Sequence, residues 1–348
     1  MRRAVARRMA VLGATVIRRP GAFASAAARR MAVRARAVAG RTVVLAAVGL
    51  IAVLAMLSAG CGSRGSDGAR GPVKVIATTS FLRDIAQNVA GQRLSVGELI
   101  PVGVDPHAWQ PAPVDLATVA RSDVLIVNGG GLEGTLLKAV ANAGGHARVV
   151  TVSAGLAPRV PKPGEPDYGK ALAVDPHWWL DPVDVITYVT NIRDALVAAD
   201  PPGAGIYQAN AAAYIQKLKA LDAWIRAQVA TVPPAGRLLV MNHLSHGYFA
   251  DRYGFQVVGA VIPSVTAGAA VTPAQMAGLV HTIEKLRAKA IFVELDENPK
   301  LADQIASAAH VKVVTGLLDH SLTSSSGPAP DYIAMMKYDT GLIVSNLK

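Results

Sequence analysis

Two short stretches share one pattern. Gly103-Val-Asp-Pro-His-Ala-Trp-Gln-Pro111 and Asp175-Pro-His-Trp-Trp-Leu-Asp-Pro182 each place a histidine directly after Asp-Pro, with a tryptophan within two residues of it. Proline fixes its own φ and disfavours helix in the residue before it, so each histidine is presented from a stiff, non-helical loop. The aspartates two residues upstream, Asp105 and Asp175, are placed to orient an imidazole or a neighbouring backbone group, and the indoles to shield the ring from water. A single histidine in such a setting is more simply a packed core residue. Two of them predict two imidazoles, His107 and His177, delivered to one point, as a transition metal requires of its ligands.

The elements that would position these loops can be read from hydrophobic periodicity. Short apolar runs at 73–78, 94–100, 123–128 and 148–152 read as strands. They alternate with helices at 80–89 (capped by Ser80), 113–120 and 132–143, and a helix at 182–199 follows. The alternation returns with strands at 237–241, 255–261, 290–294 and 311–315 and helices at 273–286, 301–309 and 330–348. Between the two sets lies the most regular segment, 206–229. There Tyr207, Ala211, Tyr214, Leu218, Leu221 and Ile225 recur at alternating four- and three-residue steps, the apolar stripe of one helix.

The expected fold class is α/β, with two lobes at 73–203 and 233–348, each holding a mainly parallel sheet flanked by helices, joined by one long backbone helix within 204–232. Residues 155–174, rich in proline and glycine, read as an external loop. Gly129-Gly-Gly131 lacks the spacing of a phosphate or dinucleotide loop and reads as a permissive strand-to-helix turn, so no nucleotide site is expected.

In such sheets ligands bind beyond the carboxyl ends of strands. His243 and His320 follow predicted strands of the second half, as His107 and His177 occupy loops of the first. Four imidazoles would make a closed tetrahedral site suited to Zn2+, and exchanging one for a carboxylate would favour Mn2+. His246, three residues beyond His243, is expected to point elsewhere, and His146, His281 and His310 to lie at the surface.

The formal charge of +11 suggests nucleic acid until its location is considered. Residues 1–41 hold eleven of the 35 Lys and Arg and no acidic residue, and what remains balances the 24 Asp and Glu. A nucleic-acid surface carries its charge on the folded domain, so that class is set aside. Residues 42–60 form an apolar and small-residue run ending at Cys61, the only cysteine. A basic flank, an apolar core and small residues make a secretory signal, with a lipobox whose Cys61 would be lipidated and residues 62–72 as a flexible tether. Ser58 stands where a lipobox usually has leucine, and a permanent transmembrane anchor is the competing reading. Residues 1–30 read as an over-extended start, Met31 being the more ordinary one.

From residue 73 onward the chain resembles the substrate-binding lipoproteins of ABC transporters for zinc and manganese, in the cluster with a helical backbone between lobes. The matching stretches are the two histidine loops, Ala77-Thr-Thr-Ser80, Asn128-Gly-Gly-Gly-Leu-Glu133, the run from His243 to Gly254, Ile291-Phe-Val-Glu294 and Tyr332-Ile-Ala-Met-Met336. The resemblance implies that His107, His177 and His243 are the first three metal ligands. The family's fourth ligand is usually Asp or Glu, and an ungapped count back from Tyr332 puts His320 there, with Asp319 as the alternative beside it. Glu294, like Asp105 and Asp175, is expected behind the ligands, near His243 or His320.

The partners implied are a permease and, through it, an ATPase subunit. The protein would be a monomer, lipid-anchored on the outer face of the bacterial cell membrane. Residues 155–174 contain no histidine, so no metal-gathering loop is expected. An extracellular zinc hydrolase with Glu294 as general base is the rival class; no His-Glu-x-x-His is present, and four protein ligands would close the coordination sphere. Nothing in the sequence supports an adhesin that binds a host surface directly.

Overall fold

In the computed structural model, which describes residues 71–166, 169, 174–265 and 270–348, eight strands form two four-stranded sheets. The first contains β1 (Val75–Ala77), β2 (Val96–Glu98), β3 (Val124–Val127) and β4 (Arg148–Thr151), in the order β2-β1-β3-β4. The second contains β5 (Leu238–His243), β6 (Gln256–Ile262), β7 (Ala290–Glu294) and β8 (Lys312–Leu317), in the order β6-β5-β7-β8. Every pairing is parallel.

Parallel sheets are covered on both faces, which is why these strands read as unbroken apolar runs. Alternate residues of the inner strands supply two different cores. Val124 and Ile126 of β3 enter a large central core, while Leu125 and Val127 pack outward against α2 (Pro113–Ala120) and α3 (Gly134–Asn142). In β7, Ala290 and Phe292 face the same central core, and Ile291 and Val293 face α7 (Pro273–Leu286) and α8 (Lys300–Ala309).

The central core is organised by α5 (Ala204–Val229), whose 26 residues span about 39 Å at 1.5 Å each. All six residues of the predicted stripe are buried, joined by Val229. The helix packs on α1 (Ser80–Ala90) and α4 (Asp184–Ala199), which flank the first sheet, and on α9 (Tyr332–Leu347), the last element of the second half. Asp200 ties the turn before it, accepting from Arg93 at 2.8 and 2.9 Å and from the Tyr207 hydroxyl at 2.5 Å.

Three local readings differ from expectation. The cap of α1 is Thr79, not Ser80: Thr79 is extended and its Oγ1 accepts the Leu82 N–H at 3.4 Å, whereas Ser80 is already helical. Ser80 Oγ instead accepts the Leu322 N–H at 2.9 Å, joining the two halves. Helix α6 (Gly247–Tyr253), closed by Gly254 at φ 75°, is too short to announce itself by periodicity. The 155–174 loop is exposed along much of its described length, yet Arg159 is pinned beneath it. Its guanidinium meets Glu165 at 2.5 Å and Asp251 of α6 at 2.9 Å, and its N–H donates to Tyr248 Oη at 3.0 Å. Cys61, the leader and most of the tether lie outside the described residues. Among the described residues no helix is long and apolar enough to cross a membrane.

The spine generates a stability prediction. Leu218 is wholly buried in the central core, so Leu218→Ala removes its contacts and leaves a cavity. Urea unfolding should show a loss of about 2–5 kcal/mol. A change below about 0.5 kcal/mol would mean that α5 is peripheral.

Candidate metal centre

Parallel pairing puts the carboxyl ends of all the strands of a sheet on one edge, and the histidines occupy those edges. His107 lies in the loop after β2, and His243 is the last residue of β5. His320 follows β8 by three residues, and His177 immediately precedes a single tight turn, Trp178–Leu180. Side-chain nitrogens of the four imidazoles all lie within 4.8 Å of one another. Nε2 of His177 is 3.1 Å from Nε2 of His107 and 3.3 Å from Nε2 of His243, and the ring of His320 is centred 4.9 Å from that of His243. His107 is half-buried, and the other three are at most 2% exposed.

Carboxylates stand behind three of the rings. Asp175 Oδ1 accepts the His177 backbone N–H at 3.0 Å and lies 2.7 Å from its Nδ1, so one oxygen sets both loop and ring. Asp105 does only half of this: its Oδ1 accepts the His107 N–H at 2.8 Å, and its nearest imidazole is His320, at 3.9 Å from Nδ1. Glu294, at the end of β7 beside β5, places Oε1 2.9 Å from His243 Nδ1. His320 Nδ1 faces Asp296 at 3.5 Å and Asp319 at 3.7 Å.

The indoles are structural partners as much as shields. Trp179 lies 5.0 Å from the His177 ring, stacks on Phe81, and donates from Nε1 to the Asp319 carbonyl at 2.6 Å. Trp178 donates to the Ala157 carbonyl at 3.2 Å.

The triple glycine serves the second histidine loop. Gly129, Gly130 and Gly131 all adopt positive φ, and a Cβ on Gly130 would meet Trp178 at 2.7 Å and the Pro176 backbone at 3.1 Å. Glu133 holds this turn from inside, accepting the N–H groups of Asn128 and Gly129 at 2.7 and 3.0 Å and the Thr78 hydroxyl at 3.0 Å. Asn128 in turn donates to the Pro176 carbonyl at 2.8 Å and accepts from the Tyr188 hydroxyl. Sequence reasoning missed Asn128, Glu133 and Tyr188 as supports; the signal was a strand-end Asn and a Glu bracketing three glycines.

Burial sets the electrostatics. It drives the imidazoles of His107, His177 and His243 below the ordinary histidine value; the neighbouring imidazoles push the same way at His107 and His177, while at His243 burial and His320 outweigh Asp319, Asp105 and Glu297, so all three are neutral bases. His320 goes the other way: burial opposes its charge, but Asp319, Asp296 and Glu294 together hold it up at about 10. Asp319 is fully buried and lies outside the four-imidazole group, forming a second cluster with His243 and Glu294. His246 is also outside the four, as expected, yet it is buried, with Nδ1 2.9 Å from Ser245 Oγ and 3.9 Å from Asp319 Oδ2. His146, His281 and His310 are exposed.

Residues 75–346 match the ZnuA family, described as zinc-uptake complex component A, periplasmic. The chain is 36% identical over 302 residues to the manganese-binding lipoprotein MntA of Halalkalibacterium halodurans, covering 86% of this chain and 97% of that protein. It is 32% identical over 263 residues to the iron-binding protein YfeA of Yersinia pestis, covering 76% of this chain and 82% of that protein. The fold is similar to that of the periplasmic zinc-binding protein TroA from Treponema pallidum, with a TM-score of 0.72 and 25% identity over 80% of this chain and 99% of that one.

The glycine turn can be tested directly. Glu133→Ala would strip acceptors from a buried and a part-buried backbone N–H and from a buried hydroxyl. A stability loss of about 2–4 kcal/mol in urea unfolding is expected; an unfolding midpoint equal to that of the parent would show that water replaces the carboxylate.

Proposed function

This chain belongs to the ZnuA family and is a substrate-binding receptor of a metal ABC importer rather than an enzyme; from that premise we propose that it captures one Zn2+ through His107, His177, His243 and His320. The observation that carries the reading is the spacing of the ring nitrogens. Bonds of about 2.0–2.1 Å at tetrahedral angles require nitrogens about 3.3–3.4 Å apart, and the Nε2 atoms of His107 and His243 stand 3.1 and 3.3 Å from that of His177. Three neutral imidazoles need no deprotonation before they ligate. An all-nitrogen set in a buried pocket suits zinc better than the harder manganese ion.

Asp175 and Glu294 orient His177 and His243 from behind, which fixes each ring and raises its basicity toward the metal. Asp105 acts on the loop of His107 rather than on its ring. Helix α5 and the contacts across the site restrain the lobes, taken as 73–203 and 233–348 with the spine within 204–232. Release therefore relies on small tilts or loop changes when the receptor docks on its permease, which an ATPase subunit drives.

The receptor works outside the cytoplasmic membrane as a monomer, tethered by lipidated Cys61 through residues 62–72, as the lipoprotein relatives are named. Mn2+ is the second reading. The carboxylates of Glu294 and Asp319 gather beside His243 and offer the oxygen donors that manganese prefers, and relatives are named for manganese and iron as well as zinc.

Metal analysis and competitive titration test this. One Zn2+ per chain is expected, with affinity lowered more than about 100-fold by His320→Ala, about 10–100-fold by Asp175→Asn, and little by Asp319→Ala. Tight Mn2+ binding abolished by Asp319→Ala would replace zinc and the fourth ligand together. Absence of any stoichiometric metal would end the reading.

A further inference from the structure

Three of the four imidazoles are sealed from solvent, so an ion has to lose its water on the way in. A cavity of about 80 Å3, lined among others by Gly103, Leu295, Asp296, Leu318, His320 and Ser321, reaches the cluster at His320. It lies between the loop that carries Asp105 and His107 and the turn that follows β7. Its lip is marked by Leu295, 63% exposed.

Two side chains that line the cavity keep unused donors and acceptors. Among the described residues His320 makes no hydrogen bond from either ring nitrogen. Asp296 Oδ2, on a side chain nine-tenths buried, is 3.5 Å from His320 Nδ1 and makes none either. Asp105 Oδ1, which accepts the His107 N–H, is 3.9 Å from the same nitrogen. Glu297, half-buried next to Asp296, has its carboxyl pushed up by burial and then by Glu294, Asp105 and Asp296, so these carboxylates share one field. Buried polar atoms without partners call for an explanation. A cavity of this size has room for several waters.

We propose that Asp296, Glu297 and Asp105 form an outer docking site for a partly hydrated divalent cation, from which the ion passes along this cavity to His320 and the other imidazoles. The proposal rests on the reading of the four imidazoles as ligands. Its chemistry is that of hard oxygen donors accepting an ion that still keeps waters, then yielding it to nitrogen donors that hold zinc more firmly. The acidic mouth also raises the local cation concentration and so the capture rate, an effect that salt screens.

The alternative role for Asp296 is purely to orient His320, and kinetics separates the two. Zinc transfer to the full-length chain from a chromophoric indicator would be followed by stopped flow at low and high ionic strength, with dissociation measured separately. Wild type would be compared with Asp296→Asn, Glu297→Gln and the double variant. Glu297→Gln is expected to slow association about three- to tenfold at low salt, with the difference closing in high salt and dissociation no faster, and the double variant to slow association further.

Association rates within about twofold of wild type in both single variants, with any loss of affinity carried by faster dissociation, would overturn the docking site and leave Asp296 a positioning residue. Among the described residues Glu297 forms no ion pair with an imidazole, so its variant keeps the test open if Asp296→Asn does not fold. A wild-type chain that binds no stoichiometric zinc would instead remove the ligand reading beneath it, a different and recognisable failure.

Discussion

Three imidazole Nε2 atoms meeting at 3.1 and 3.3 Å is the constraint on which the rest of the molecule depends. Charged imidazolium rings would repel one another at that distance in a buried site, and freely rotating neutral ones would turn away. The arrangement holds because burial keeps the rings of His107, His177 and His243 neutral and the surrounding groups deny them other orientations. Asp175 grips His177 at both backbone and ring, and Glu294 stands behind His243. The loop of His177 is itself held through Asn128, whose strand-end turn Glu133 closes from within. Each support is a short polar contact in a buried place, where an unpaired partner would be costly.

The same region carries an electrostatic cost that the fold does not cancel by itself. Glu294 and Asp319 are both fully buried, and apart from the 2.9 Å contact of Glu294 Oε1 with His243 Nδ1 their carboxylate oxygens make no hydrogen bond among the described residues. Burial raises both carboxyls, to about 7 and about 6, even with His320 nearby. Structural cores rarely retain such groups, whereas sites that meet a cation do. This imbalance between acceptors and donors fits the receptor role that the family assigns.

The two halves are joined at the site as well as along α5. Trp179 of the first half donates to the Asp319 carbonyl, Tyr332 of the last helix donates to the Trp179 carbonyl at 2.6 Å, and Ser80 accepts from Leu322. With a 26-residue helix shared by both sides of one continuous core, wide opening of the lobes would break buried contacts along the whole spine. Motions confined to loops at the strand ends cost far less.

What the sequence by itself determined is whatever local chemistry enforces. Apolar runs covered on both faces declared the parallel strands, the four-and-three spacing declared α5 to within two residues at its start, and the paired Asp-Pro-His loops singled out two histidines whose rings meet in the fold. The backbone role of Asp105 and Asp175 was visible too, since a carboxylate two residues upstream reaches its histidine's N–H in both loops, whereas the ring contact made by Asp175 alone was not. Only the tertiary structure decided the rest, because it depends on which strand ends meet. His320 and Asp319 are neighbours in the chain, yet one faces the imidazoles and the other turns toward His243 and Glu294. His246 is buried beside Asp319 although its spacing from His243 said only that it points elsewhere. Asp296 gains its position from a sheet edge brought against the Asp105 loop, across a separation in sequence that no local rule spans.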